Sequence, residues 1–327
     1  MEAGRTSASA PLADRLDQAL GRALRGDESP LDELADVEPF DERDALTTLL
    51  ALHALDLAPV DTLNGREWFQ HHPAIAALRG RLESAFIADL DAASRAVFRD
   101  AWNDAWDVVA AVRRIAAHNL VPPVYDWLAD EATYDELVDF LAVEGGPDGG
   151  FDDLVAIAQV GLAGEAKLTL AANYWDEMGR GDLAEVHTEL HHRLSRAVEL
   201  PRLAPDELPV AALRRSALNG VLAGNRAFQP EMIGALGVLE LQAGPRCRRV
   251  LAALDRLDAP VDAAPFYAEH ASTDPRHGKE WLDAALVPLA DAHPDWAPRF
   301  VRGAAWRCVV NDALFDHWAT TLVGVRT

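Results

Sequence analysis

Residues 266–281 read FYAEHASTDPRHGKEW, which sets His270, Asp274 and His277 at intervals of four and three. On an α-helix four residues advance about 400° and seven about 700°, so the three side chains would leave one narrow arc as two imidazoles and a carboxylate. Such a donor mixture suits iron, manganese or zinc rather than calcium or magnesium. The arc exists only if the stretch is helical, and Pro275 gives that question two answers. Inside a helix the proline removes one hydrogen bond and crowds the preceding turn. Following Asp274 as an N-cap, it would begin a new helix and leave His270 outside it.

The rest of the chain reads as helix. DALTTLLALHALDL (44–57), HPAIAALRGRLESAFIADL (72–90) and SRAVFRDAWNDAWDVVAAVRRIAAHNL (94–120) repeat apolar residues at three- and four-residue spacings with charges between them. Alternating β-branched patterns are scarce, so the spacing predicts an all-α protein. No period of about 20 to 50 residues recurs, which speaks against a solenoid. Breaks fall at GDESP near residue 30, LVPPVYD (120–126), EGGPDGG (144–150), GRGD (179–182) and LPRLAPDELP (200–209). HHP at 71–73 reads as a helix boundary before Pro73. These signals predict a partly disordered segment over 1–34, an additional helical region over 35–120 and a compact helical bundle over 121–327, with the boundary at Val121-Pro122-Pro123.

With 53 acidic against 30 basic residues, the formal charge is −23, and a phosphate backbone or an anionic membrane would be repelled. Only Lys167 and Lys279 are lysines. An acidic, Ala-rich, Arg-over-Lys chain looks like a protein of a salt-loving organism such as a haloarchaeon, where carboxylates keep the surface hydrated. No apolar run approaches the roughly 20 residues of a membrane span, and MEAGRTSASAPLADRL lacks the apolar core of a signal peptide. The expected setting is the cytoplasm. Cys247 and Cys308 form no CxxC motif and read as small core residues.

One helix cannot complete a metal's coordination sphere, so partners for the 266–281 stretch must come from elsewhere. Upstream, WDEMGRGDLAEVH carries Glu177 and His187 on either side of a glycine-containing stretch, and GALGVLELQAG carries Glu240 as its lone acid among Leu236, Val238, Leu239 and Leu241. A carboxylate in such surroundings is costly to bury without a cation. Glu177 and His187 are ten residues apart, about 80° short of three turns, so a straight helix would not align them. Gly179 and Gly181 offer a place for a bend.

These segments resemble the haem-oxygenase-like di-iron oxidases and oxygenases, also called iron-containing redox enzymes. Their pattern is a Glu and a His on one helix, a Glu on a later helix, then His-x3-Asp-x2-His about 30 residues on. The matching stretches lie at 140–182, 237–244 and 266–282, and the resemblance covers residues 121 to 320. It implies a haem-oxygenase-like multi-helical bundle, to which the periodicity of residues 35–120 adds an N-terminal helical region. It also implies Glu177, His187, Glu240, His270, Asp274 and His277 as metal ligands, with Glu144 a possible further carboxylate. Fe(II), two per chain, would be the cofactor and O2 the co-substrate. The expected partners are a small organic substrate and an electron donor, with a homodimer possible and neither nucleic acid nor membrane involved.

Blander readings stand beside this one. The polar residues of 266–281 could face solvent, and the chain could be a non-catalytic helical binding or scaffold protein of the same fold. A haem-binding relative would need a lone proximal histidine, for which His118 is the candidate. His191 and His192 read as solvated, and the aromatics Tyr174, Trp175, Phe266, Tyr267 and Trp281 as seals of the core. P-loop, GxGxxG, GxSxG and HExxH signatures are all missing from the chain.

Overall fold

The computed structural model describes residues 10–102, 107–145 and 151–323. Among them β structure is limited to one isolated antiparallel bridge, Met178 to Val186, and the all-α expectation is borne out. In chain order the helices are α1 (Leu12–Ala23), α2 (Ser29–Asp32), α3 (Glu42–Leu57), α4 (Val60–Leu63), α5 (Pro73–Ala101) and α6 (Val108–His118). They continue with α7 (Pro123–Asp130), α8 (Tyr134–Glu144), α9 (Phe151–Ala158), α10 (Gly164–Glu177) and α11 (His187–Ala197). The last five are α12 (Val210–Gly224), α13 (Gln229–Arg256), α14 (Ala264–Glu280), α15 (Val287–Ala292) and α16 (Ala297–Trp318). None of the described helices is long and apolar enough to cross a membrane.

Two compact units result. The first comprises residues 1–90 and 212–225. Of the segment expected to be partly disordered, residues 1–9 lie outside the described residues, while α1 and α2 are helical. Leu12, Leu16 and Leu20 of α1 are buried with Leu46, Leu49 and Leu52 of α3, which it packs against. Asp44 of α3 accepts from the backbone N–H of Leu12 at 2.7 Å and of Ala13 at 3.3 Å, so a buried carboxylate satisfies the start of α1. Deeper in this unit His53 and Glu83 form a buried pair at 2.8 Å.

The second unit comprises residues 91–211 and 226–327. Its axis is α13, which packs against α6, α7, α14 and α16. The helical stretch expected over 94–120 is interrupted: α5 ends at Ala101 and α6 restarts at Val108, where the Asp107 side chain accepts from the Ala110 N–H at 2.7 Å. Residues 103–106 between them, and 146–150 of the EGGPDGG break, lie outside the described residues.

Pro275 lies inside α14, and the helix passes through it unbroken. The carbonyl that a proline leaves without its helical donor belongs to Ala271, and Arg248 Nη1 of α13 donates to it at 3.2 Å. Two glycines let α13 and α14 approach. A Cβ at Gly278 would lie 3.1 Å from the Glu240 carbonyl oxygen, and one at Gly244 would lie 3.1 Å from Pro275 Cδ. Glu240 is thereby brought beside the face of α14 that carries His277. The helix then widens into a π-helical stretch, Trp281–Leu286, whose Trp281 is buried and donates Nε1–H to the Ile233 carbonyl at 2.9 Å.

Candidate metal centre

Glu177 is the last residue of α10 and His187 the first of α11. They lie on two helices rather than on one, which corrects the single-helix pattern expected for this pair. Between them Gly179, Arg180 and Gly181 all take left-handed φ values, 58°, 53° and 90°, and the Met178–Val186 bridge closes the loop. A Cβ at Gly179 would fall 2.5 Å from the Glu185 carbonyl carbon, so the turn requires glycine there. Closing the loop offsets the 80° misfit of a straight helix, and His187 Nδ1 comes to 2.6 Å from Glu177 Oε2.

The unbroken α14 supplies the other side of the site. The His270 ring lies 4.6 Å from that of His187, and its Nδ1–H donates to the Phe266 carbonyl at 2.8 Å, which leaves Nε2 as the donor atom. His277 does the reverse: Nε2 is 2.9 Å from Asp176 Oδ2, and Nδ1 is 3.6 Å from Glu240 Oε2 and 4.0 Å from Asp274 Oδ1. Glu240 Oε1 accepts from Asn173 Nδ2 at 3.0 Å. Two sets of potential ligand atoms follow, each with all atoms within 4.8 Å of one another: Glu177, His187 and His270, and Glu177, Glu240 and His277. Glu177 belongs to both. Asp274 is buried beside the second set.

The electrostatics describe a site built around positive charge. Burial pushes the Asp274 carboxyl well above the usual carboxylate range, and the neighbouring Glu240 and Glu177 push it further. Burial also opposes ionisation of Glu177, but His187 outweighs it and holds that carboxyl below its ordinary value. Against burial, Glu177 raises His187, and Glu240 with Asp176 raises His277. Burial and His187 together lower His270.

Both ring nitrogens of His187, Nδ1 of His277 and Oδ2 of Asp274 are buried without a hydrogen bond. The 2.6 Å contact of His187 with Glu177 lacks hydrogen-bond alignment. Orphaned buried donor and acceptor atoms that converge in this way are what a bound cation satisfies, and three imidazoles with three carboxylates suit iron, manganese or zinc. The residues present therefore fit a metal.

Asp176 and Asn173 escape a reading of the sequence for ligands. Asp176 is held by Arg276 at 2.5 Å and Arg180 at 3.3 Å as well as by His277. Burial works against its charge, but His277 and Arg276 bring its pKa down to about 2. An Asp that stays anionic fixes the tautomer of His277. The signal was present in NYWDE: Asn173 and Glu177 are four apart on α10 and share its buried face.

Beside the cluster lies a cavity of about 210 Å³. Glu177, Glu240, His270 and Asp274 border it, with Phe266 and Tyr267 among its apolar walls. Glu144 borders the cavity but is in neither ligand set. Two expectations need correction. His191 is buried, not solvated, because it lies one turn beyond His187 on the inward face of α11, with its ring 4.9 Å from that of Phe266. Trp175 is 54% exposed and does not seal the core, resting instead against Gly181. Of the other histidines considered, His118 has an exposed side chain 3.8 Å from Asp312 and is in neither ligand set. Cys247 and Cys308 are both buried and free, as core residues are.

No curated protein matches the chain. The family model described as iron-containing redox enzyme matches residues 139–312, more than half of the chain and a span that contains Glu177, His187, Glu240, His270, Asp274 and His277. On that match and the all-α fold, the chain belongs to the haem-oxygenase-like family of iron-containing redox enzymes.

Proposed function

We propose that this chain is a non-haem di-iron oxidase or oxygenase, which uses O2 to oxidise a small organic substrate held in the cavity beside the cluster. The observation that carries the reading is Glu177, a buried carboxylate common to both ligand sets. His187 and His270 would hold one iron, Glu240 and His277 the other, with Glu177 between them and Asp274 beside the second. Bound Fe(II) supplies electrons and open coordination positions for reaction with O2.

The chain's own residues do the rest. The Phe266 carbonyl and Asp176 select the ring nitrogen that His270 and His277 present, and Asn173 orients Glu240. Asp274, pushed toward its neutral form by burial and by its neighbours, can hold a proton within the site until a cation displaces it. An external electron donor and the cytoplasmic setting complete the proposal.

The test is metal content and O2 consumption after anaerobic Fe(II) loading in high-salt buffer, comparing the wild type with His277→Ala. The expected result is about two irons per chain and O2 uptake that the variant loses. Iron no higher than background in both proteins would remove the reading and leave a non-catalytic helical protein.

A further inference from the structure

Arg246 of α13 also borders the cavity, and it is 93% buried, since only 7% of its surface is exposed. Its Nε donates to the Leu120 carbonyl at 3.1 Å and its Nη2 to the Asn119 carbonyl at 2.7 Å. The guanidinium sits 4.9 Å from the Phe315 ring centroid and 5.9 Å from that of Tyr125. The carboxylates of Glu144 and Asp312 act on the guanidinium through space, but no anion is in direct contact with it. Among the described residues no carboxylate comes within 4.0 Å of it, and Nη1 donates to no protein group. Glu144 borders the same cavity but lies beyond that distance. A buried cation held only by carbonyls and rings is costly, and a fixed fork of donors at the wall of a cavity recognises a carboxylate.

We infer that Arg246 is the anchor for a substrate monocarboxylate whose small apolar body extends from the guanidinium toward the metal ligands. This rests on the di-iron reading for the reacting end and on Arg246 alone for the anchored end. The cavity that Arg246 shares with the ligand residues has Phe140, Leu239, Ala243, Val250 and Phe266 among its walls. A dianion is disfavoured, because Glu144 and the ligand carboxylates face the same space. An uncharged substrate would leave Arg246 unpaired, so the acid is selected over its amide and its alcohol.

The test is calorimetric titration of hexanoate, hexanamide and hexan-1-ol into the wild type, Arg246→Gln and Arg246→Lys. Each is studied both metal-free and loaded with Fe(II) under anaerobic conditions. Circular dichroism and iron content check each variant's fold and site. The expected result is hexanoate binding at least about tenfold more tightly than hexanamide in the wild type, a preference absent in Arg246→Gln and partly kept in Arg246→Lys. Equal binding of acid and amide by the wild type overturns the inference. So does a preference that survives Arg246→Gln, or one present only in the iron-loaded wild type, since the carboxylate then sits on the metal. If the protein takes up no iron but the metal-free form keeps an Arg246-dependent preference, the di-iron reading fails and the anchor stands.

Discussion

His277 Nε2 meets Asp176 Oδ2 at 2.9 Å, and this contact decides which nitrogen His277 can give to a metal. Asp176 is not a candidate ligand, yet it connects the buried imidazole to Arg276 and Arg180, whose side chains are half exposed. Asp176→Ala is expected to lower Fe(II) affinity by about 10- to 100-fold, while Asp176→Asn, whose amide oxygen still accepts from Nε2–H, loses less. Competition with a chromophoric chelator under anaerobic conditions reads both. Unchanged affinity in the alanine variant would mean that His277 needs no orienting partner.

The turn that joins Glu177 to His187 makes a second prediction. Gly179→Ala forces a side chain into a left-handed φ of 58° and within 2.5 Å of the Glu185 carbonyl carbon. A loss of about 2 kcal/mol or more in stability follows, together with reduced iron uptake as His187 moves away from Glu177. Thermal unfolding and metal analysis on the same preparations check both. The outcome that sinks the idea is a stable Gly179→Ala protein with full iron content.

The way these residues are joined shows what could be read from the sequence. Helical periodicity was legible, and so was the family, because His270, Asp274 and His277 sit on one continuous element and their spacing is local. Pro275 left two readings open, and the donor that takes up the carbonyl it frees is Arg248, 27 residues earlier, which no local pattern indicates. The relation of Glu177 to His187 was not legible either. Three successive left-handed residues reverse the chain, and Arg180, with φ 53°, is not a residue type that announces such a conformation. Asp176 was hidden by its neighbour, since two adjacent acids on an acidic chain look like a solvated pair until α14 is packed against them.

In the first unit, the buried pair of His53 and Glu83 is sensitive to the loss of either partner. The His53 ring packs where a side chain at residue 220 would stand, with Nδ1 2.0 Å from a Cβ built on Gly220. Glu83→Ala removes the 2.8 Å partner of Nε2 and is expected to cost about 3 kcal/mol, because it leaves a buried polar atom unpaired. His53→Phe combined with Glu83→Leu should recover much of that loss. Urea unfolding of His53→Phe, Glu83→Leu and the double variant measures the coupling, and purely additive losses would contradict it.

Acid stability is expected to depend on Asp91 in the second unit. Its carboxylate accepts from Arg302 Nε at 2.8 Å, Arg302 Nη2 at 2.7 Å and Trp306 Nε1 at 3.0 Å, and Arg302 also reaches the buried Glu231 at 3.2 Å. Partial burial pushes the Asp91 pKa up, but the Arg302 and Trp306 hydrogen bonds outweigh it and the net shift is downward. A carboxylate whose folded pKa is depressed adds stability that is fully present above its unfolded value of about 3.9 and is lost as pH falls through the folded value. Asp91→Asn should therefore be less stable than the wild type at neutral pH. The difference should be about 1 kcal/mol or less, because the side chain is 40% exposed and solvent screens the pair. Below pH 4 the two unfolding curves should converge, since the wild type then protonates the group that the variant has already neutralised. If the gap instead persists undiminished to the lowest pH at which both proteins fold, the Asp91 contribution comes from packing and hydrogen bonding to Trp306 rather than from charge.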